Sequence, residues 1–357
     1  MILNLCFPDH DIQVSCLIRY IVKCVMKNLP GYSEKRRRKK VIWPKRPGRK
    51  LNGSVGAAPE EINRIDGTAP GEKDFTESIR AMPDKLTLQD STERRRERKG
   101  EGTVEYIRVT SENLEREHIC CAISNNTDCQ VASKKAWLAE RMKEGLVFLK
   151  ADARGKCFIE YLPAEAAWTP VDAPGYMYID CLWVSGRLKG QGYADDLMDE
   201  CIRDSQEKGK AGLVILSSDK KRPYLSDKKY LAYRGFQKAD EMEPYFELWY
   251  LPFKEDAAAP RFHKNTERLS DSPENRDGFV LYYTGQCPFT AKYAPVAEQC
   301  ARKSGLKFHS VFIDTKEKAQ NVPPLFTAYS LYYNGKFITH EILSEKKFYA
   351  LAEEICG

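Results

Sequence analysis

The chain has 357 residues, of which 42% are hydrophobic and 30% are charged, and its formal net charge is +6. This length predicts about two domains, and the hydrophobic share is large enough for packed cores. No apolar run reaches the ~18 residues that a transmembrane helix needs. We therefore expect a globular α/β protein with no membrane partner.

The positive charge is concentrated near the amino terminus. Residues Lys35 to Lys50 hold ten lysines or arginines and no acidic residue, and outside this run 47 basic residues face 51 acidic ones. The remainder therefore offers no basic groove, and we expect no nucleic-acid partner. Proline, glycine and charge interrupt every apolar run in residues 1–102, which predicts a disordered basic extension. Without a recognisable export signal, we expect a cytoplasmic protein with reduced thiols.

A glycine loop joins a predicted strand to a predicted helix in the middle of the chain. The strand, Tyr176–Val184, is rich in aromatic and β-branched residues. Gly190 and Gly192 follow it, and apolar residues then recur at helical spacing from Ala194 onward. Such a loop directs several backbone N–H groups at the positive end of a helix dipole, where a phosphate or pyrophosphate binds well. An ordinary strand–turn–helix, with glycines retained for packing, is the alternative.

Two common nucleotide loops do not fit this segment. A Walker loop requires Gly-Lys-Ser/Thr after its last glycine, whereas Tyr193 and Ala194 follow Gly192 here. A dinucleotide loop requires a third glycine where Asp195 stands.

The loop instead resembles the acyl-CoA motif of the GNAT acetyltransferases, V-x-P-x-x-[R/Q]-G-x-G-x-[G/A]. The residues at matching positions are Val184, Lys189, Gly190, Gly192 and Ala194. Gly186 replaces the usual proline, and Lys189 replaces the usual arginine or glutamine. The resemblance implies acetyl-CoA as cosubstrate, without a metal. It also implies that the acyl-CoA contacts come from Trp183, Val184, Lys189, Gly190, Gln191, Gly192, Tyr193 and Ala194.

The elements that follow extend this resemblance over about residues 103–253. They are a buried strand at Gly212–Ser218, a short helix from Ser226 to Arg234 that ends at Gly235-Phe236, and a last strand at Tyr245–Leu251. Together with the carboxyl-terminal part, the chain is similar to the YoaP-like acetyltransferases of bacteria, which pair a GNAT domain with a thioredoxin-like one. The predicted order is therefore a GNAT acyl-CoA N-acyltransferase fold in residues 103–253, a linker in 254–275 and a small thioredoxin-like α/β domain in 276–357.

Acetyl transfer to an amine needs a proton acceptor, because an amine with a pKa near ~10 is mostly protonated at neutral pH. Asp180 is the candidate base, since a charged residue in the middle of a buried strand needs a partner or a task. A structural carboxylate that accepts backbone hydrogen bonds is the alternative.

The acid that protonates the leaving thiolate is harder to assign. In GNAT proteins it is commonly a tyrosine four residues before the Gly-Phe pair, but Leu231 stands there. Tyr230 and Tyr233 flank this position on the helix, and Tyr224 precedes it. Each could instead pack its ring with the hydroxyl in solvent.

One of the twelve cysteines has a distinctive position. Cys287-Pro288-Phe289-Thr290 follows a predicted strand, Phe279–Tyr283, and opens a helix that runs to about Lys303, which resembles the thioredoxin arrangement. A helix amino terminus lowers a thiol pKa, so Cys287 is a redox candidate with a possible thiol partner. Because Thr290 replaces the second cysteine, either a monothiol or a binding scaffold is consistent with the pattern. No C-x-x-C occurs and the histidines do not cluster with cysteines, so we expect no metal site.

The sequence thus predicts an N-acetyltransferase that transfers an acetyl group from acetyl-CoA to a small-molecule or peptide amine by direct attack on the thioester. The alternative is a thiol-redox or binding protein that uses the Cys287 monothiol and senses acyl-CoA through a non-catalytic GNAT domain. No motif specifies the acceptor or the oligomeric state.

Overall fold

The computed structural model of the protein describes residues 104–119, 125–153, 155–263 and 277–356. The predicted disordered extension lies outside these ranges, as does the second half of the predicted linker. The domain boundaries given above therefore stay a prediction.

A seven-stranded mixed sheet occupies the first part of the described chain. Its strands are β1 (Tyr106–Val109), β2 (Val147–Ala151), β3 (Cys157–Pro163), β5 (Tyr176–Val184), β6 (Gly212–Ser218), β7 (Gln237–Met242) and β8 (Phe246–Pro252), arranged in the order β1-β2-β3-β5-β6-β8-β7. Strands β5 and β6 run parallel, whereas their other neighbours are antiparallel. The strands predicted around the glycine loop are confirmed.

Helices cover both faces of this sheet and continue into the carboxyl-terminal part. They are α1 (Cys129–Met142), α2 (Tyr193–Glu207), α3 (Lys228–Tyr233), α4 (Thr290–Lys303), α5 (Lys316–Asn321) and α6 (Glu345–Cys356). Helix α1 begins at Asp128, whose carboxylate accepts a hydrogen bond from the Gln130 N–H, and α3 begins in the same way at Asp227. Helix α2 places Leu197, Met198 and Cys201 in the core on one face of the sheet.

A second, four-stranded sheet is formed by the carboxyl-terminal part. Its strands are β10 (Phe279–Tyr283), β11 (Phe308–Phe312), β12 (Tyr329–Tyr333) and β13 (Lys336–Thr339), in the order β11-β10-β12-β13. Strands β10 and β11 are parallel and the other two pairs are antiparallel. A hairpin turn at Asn334-Gly335 joins β12 to β13, and both residues have a positive φ, as a type I′ turn requires.

The two sheets share one hydrophobic core. Helices α4 and α6 pack on one face of the second sheet, where Phe279 and Phe348 are fully buried. Its other face places Val280 and Tyr332 in the same cluster as Phe148 and Trp137 of the first sheet and helix α1. The carboxyl-terminal part is therefore packed against the first sheet and α1.

The chain leaving the first sheet is also held in place. A short strand β9 (Arg261–Phe262), inside the predicted linker, pairs with β4 (Val171–Asp172). The Phe262 N–H donates to the Asp240 carboxylate at 2.9 Å. This part of the predicted linker is thus fixed to the body of the protein.

Candidate active site

Strands β5 and β6 separate part-way along their length. They pair through four residues, from Tyr176 opposite Gly212 to Ile179 opposite Ile215. Beyond that point β5 continues to Val184 while still paired with β3, and β6 continues while still paired with β8. The β6-facing edge of residues Asp180–Val184 therefore has no partner strand, and alternate backbone N–H and C=O groups point into the opening.

A β-bulge lies where the two strands separate. Tyr161 of β3 pairs with Ile179, and Glu160 pairs with Cys181, so Asp180 is the extra residue on β5. A bulge bends its strand and redirects a side chain. Here it brings the half-buried Asp180 carboxylate to the beginning of the opening.

The glycine loop follows the carboxyl end of β5 and leads into helix α2. Gly192 is the N-cap of α2 with φ 79° and ψ 0°, and no side chain caps the helix. The first-turn N–H groups of Tyr193 and Ala194 therefore have no intrahelical acceptor. A Cβ atom built on Gly190, where φ is also 79°, would meet no protein atom within 4 Å. The loop thus presents backbone donors next to open space.

A buried ion pair lies beside Asp180. The Nζ atom of Lys134, on α1, donates to both carboxylate oxygens of Glu160 at 2.8 and 2.6 Å. Both side chains are 1% exposed. The same Nζ donates to the backbone carbonyl of Gln286 at 2.7 Å. Lys134 therefore links the first sheet to the segment that holds Cys287.

The electrostatic surroundings set the proton affinity of Asp180. Burial raises the pKa of Asp180 well above its ordinary value, and the neighbouring Glu160 raises it further, while Lys134 and Arg141 act in the opposite direction. A carboxyl group with a raised pKa is a better match to proton transfer near neutral pH than an ordinary aspartate. This environment suits the predicted base.

The structure separates the three candidate tyrosines. Tyr233 is 69% exposed, and Leu231 of the same helix is fully buried in the core. The hydroxyl of Tyr230 is buried near Asp195 and Arg234. Arg234 forms an ion pair with Asp195 and so joins the end of α3 to the first turn of α2. Burial raises the pKa of Tyr230. Tyr230 therefore lies near the glycine loop, whereas Tyr233 faces solvent.

Tyr224 lies in the loop between β6 and α3, before the helix that holds Tyr230 and Tyr233. Its backbone has φ 65°, which is rare for a residue with a side chain and is often found at functional sites. Burial raises the pKa of Tyr224 to about 12, and the nearby Cys287 and Glu341 contribute. Tyr224 thus lies near the carboxyl-terminal part of the chain.

A buried histidine fixes this loop. The Tyr245 hydroxyl lies 2.7 Å from Nδ1 of His340, and Nε2 of His340 lies 2.8 Å from the Pro223 carbonyl oxygen. Because a carbonyl only accepts, Nε2 carries the proton and Nδ1 accepts from the tyrosine. Burial lowers the pKa of His340, which keeps the ring neutral. The carboxyl-terminal part thereby holds the residue that precedes Tyr224.

The prediction that Cys287 has a lowered pKa is wrong. Burial raises its pKa to about 11, although backbone N–H groups of Phe289 and Thr290 and the charge of Lys134 act to lower it. The helix end is present, but desolvation of the partly buried thiol is the stronger effect.

Lys134, Glu160 and Arg141 were not predicted from the sequence as parts of the site. A lysine or arginine in an amphipathic helix normally lies on the solvent face, so α1 gave no signal. Glu160 did have a recognisable sequence signal, because it is a charged residue inside the apolar run Cys157–Pro163. Asp180 was singled out for the same reason in its own strand.

Two further properties concern the described ranges alone. They contain no cluster of three or more His, Cys, Asp or Glu side chains that could hold a metal ion. No helix within them has the length and apolar character needed to cross a membrane.

Comparison with known proteins identifies the family of the chain. A family model described as YoaP-like matches residues 307–349. A protein of Bacillus subtilis (strain 168), named uncharacterized N-acetyltransferase YoaP, is 45% identical over 244 residues, which cover 68% of this chain and 96% of that protein. The chain belongs to the YoaP-like family of N-acetyltransferases.

Solved structures are similar to part of this YoaP-like chain. The GNAT family N-acetyltransferase YhbS from Escherichia coli, in complex with CoA, is 16% identical and covers 45% of this chain and 90% of its own, with a TM-score of 0.31. A GNAT family acetyltransferase from Brucella melitensis, in complex with acetyl-CoA, is 15% identical and covers 45% of this chain and 97% of its own, with a TM-score of 0.29.

Proposed function

We propose that this protein transfers the acetyl group of acetyl-CoA to a primary amine in the opening between β5 and β6. The observation that carries the proposal is the free edge of Asp180–Val184, which lies between a carboxyl group of raised pKa and the glycine-capped end of α2.

In this proposal acetyl-CoA binds with its pyrophosphate at the loop Lys189–Ala194. The N–H groups of the first turn of α2 and the helix dipole favour the negative charge. The pantetheine arm has amide groups, so it can extend along the free edge of β5 like an added strand, next to Trp183 and Val184. This arrangement would place the thioester near Asp180.

The chemistry follows from direct attack. Asp180 accepts a proton from the ammonium form of the acceptor, and the amine nitrogen then attacks the thioester carbon. The oxygen gains negative charge, which a backbone N–H group on the free edge of β5 stabilises. The C–S bond then breaks, the CoA thiolate leaves, and the nitrogen gives up its second proton to solvent. Tyr224 is the candidate to protonate the thiolate, and it regains its proton from solvent.

An amine panel tests this function. Acetyl-CoA is incubated with the protein and single amines, and released CoA is measured as free thiol while the product is identified by its added acetyl mass. Asp180→Asn is the control that should retain acetyl-CoA binding and lose turnover. A protein that neither binds acetyl-CoA nor releases CoA with any amine would contradict the proposal.

For the carboxyl-terminal part, we propose a thioredoxin-like fold. The element order β10-α4-β11-α5-β12-β13-α6 and the strand order β11-β10-β12-β13 support it. We do not extend the proposal to a thiol-redox activity, because the Cys287 pKa is raised and Thr290 cannot resolve a disulfide. The cytoplasmic location and the absence of a nucleic-acid partner stay predictions.

A further inference from the structure

The segment Gln286–Phe289, which we call the thiol loop, lies against the proposed transfer site at three places. Its first residue accepts a hydrogen bond from Lys134, which binds Glu160 next to Asp180. Its second residue, Cys287, lies near Tyr224. The hydrogen bond to Lys134 and the proximity of Cys287 to Tyr224 place the thiol loop at the carboxylate end of the opening.

The third contact borders the other end. The Nζ atom of Lys156 lies 4.2 Å from the ring centre of Trp183 and 5.9 Å from that of Phe289. One cation therefore bridges the free end of β5 and the thiol loop. The loop consequently follows Asp180–Val184 along one face of the first sheet.

The opposite face belongs to helix α2. Leu182 and Val184 pack with the cluster that contains α2, whereas Cys181 and Trp183 pack with the cluster that contains α1. Acetyl-CoA held at the α2 end reaches the opening from the α2 side. The acceptor must therefore approach the thioester from the side of α1 and the thiol loop.

We propose that the thiol loop forms the acceptor-side wall of the transfer site and selects an amine that has an uncharged aromatic or aliphatic stem. This inference rests on the function proposed above. The wall carries the aromatic rings of Phe289, Trp183 and Tyr224, with Tyr293 next to Tyr224. Flat apolar rings contact such a stem well and gain affinity through buried apolar area.

The charges near the wall disfavour a second cation on the acceptor, because Glu341, which lies near Tyr224, is already paired with Lys347. Lys156 contacts two rings, and no carboxylate forms an ion pair with it in the described part of the chain. Lys134 is already neutralised by Glu160, and Arg141 lies over the rings of Trp137 and Trp168. A diamine or polyamine would bring its distal ammonium group close to Lys156 and be repelled. Monoamines are therefore the expected class.

Two conjugates test the wall by binding alone. In each, the CoA sulfur is joined through a methylene carbonyl to an amine: phenethylamine in the first and 1,5-diaminopentane in the second. Calorimetry compares each conjugate with CoA itself. The wild-type protein should bind the phenethylamine conjugate at least tenfold more tightly than CoA, and the diamine conjugate no more tightly than CoA.

Variants then assign the effect to the wall. Phe289→Ala should remove the tenfold gain for the phenethylamine conjugate while CoA affinity changes less than twofold. Lys156→Gln should improve binding of the diamine conjugate several-fold. Phe312→Ala, which alters a 39% exposed phenylalanine of β11, is the matched control and should leave all three affinities unchanged.

The outcomes separate this inference from the proposed function. If CoA binds but Phe289→Ala retains the full gain, or if the diamine conjugate binds best, the wall is wrong and the acetyltransferase proposal stands. If CoA itself does not bind, the proposed function fails first. Thermal unfolding of each variant shows whether a lost affinity reflects a lost fold.

Discussion

At Asp180, the one extra residue of the β-bulge changes where the carboxyl group of a buried strand lies. Without the bulge, the alternation of β5 would continue and the carboxyl group would stay in a regular ladder. With the bulge, it lies at the point where β5 and β6 separate, near Glu160 and Lys134. The β-bulge therefore determines both the position of the Asp180 carboxyl group and the neighbours that set its pKa.

Replacing Asp180 tests its role as a base. Asp180→Asn should lower turnover by about 10²–10⁴-fold with acetyl-CoA affinity nearly unchanged. Because the pKa of Asp180 is raised, wild-type turnover should rise with pH well above the range in which an ordinary aspartate ionises. Asp172→Asn, at an exposed position on β4, is the control. A structural carboxylate would instead give full turnover per folded molecule and the same pH profile.

Cys287 should react slowly. A pKa of about 11 leaves far less thiolate at pH 7.5 than the ~8.5 of an ordinary cysteine, a difference of ~10²-fold. Iodoacetamide labelling, followed peptide by peptide by mass spectrometry, should therefore modify the exposed Cys356 well before Cys287. Equal rates at the two cysteines would show that the thiol is not desolvated.

At the scale of elements, helix α2 has two glycines in the left-handed region, one at each end. Gly192 is its N-cap and faces the proposed pyrophosphate site, while Gly209 follows its last turn with φ 68°. Both positions would strain a side chain in the same way. They therefore form a matched pair.

Valine at each glycine separates binding from stability. Gly192→Val should weaken acetyl-CoA binding by more than tenfold, which is about 1.4 kcal/mol or more, because its side chain occupies the place of the phosphates. Gly209→Val should cost similar stability and leave the affinity unchanged. Calorimetric titration with acetyl-CoA measures both. The glycine-loop assignment fails if the two variants bind equally well.

Several elements could be predicted from local sequence because their causes are local. The Gly190 and Gly192 positions, the α2 pattern and the Asn334-Gly335 turn each follow from neighbours in sequence. The buried pairing of Lys134 with Glu160 could not be predicted in this way, because it depends on how α1 lies across β3. The Cys287 error has the same origin: the helix end is a local feature, whereas burial of the thiol depends on packing against residues distant in sequence.

At the scale of the whole molecule, His340 joins the two parts. It is 1% exposed, accepts from Tyr245 and donates to the Pro223 carbonyl. Both ring nitrogens are thus used by the first part of the chain. Protonation would turn the acceptor nitrogen into a donor and place a charge in the shared core.

Low pH should therefore lower the free energy of unfolding through the protonation of His340. The pKa of His340 is lowered in the folded state, so below pH ~6.5 the unfolded chain binds a proton that the folded chain does not. The free energy of unfolding should fall as the pH drops from 7 to 5, by at most about 1.4 kcal/mol per unit from this group. Urea unfolding of His340→Gln should show a shallower fall. Parallel pH curves for the two proteins would exclude His340 as the source.

Hydrogen exchange in the presence of acetyl-CoA tests the proposed binding mode, because it reports on the backbone groups that we assign to the cosubstrate. Amide exchange is compared, by mass spectrometry, in the free protein and at saturating acetyl-CoA. We expect slower exchange in Asp180–Val184 and Gln191–Ala194, with no change in β10 to β13. Unchanged exchange in both segments despite measured binding, or protection confined to other parts of the chain, would contradict it.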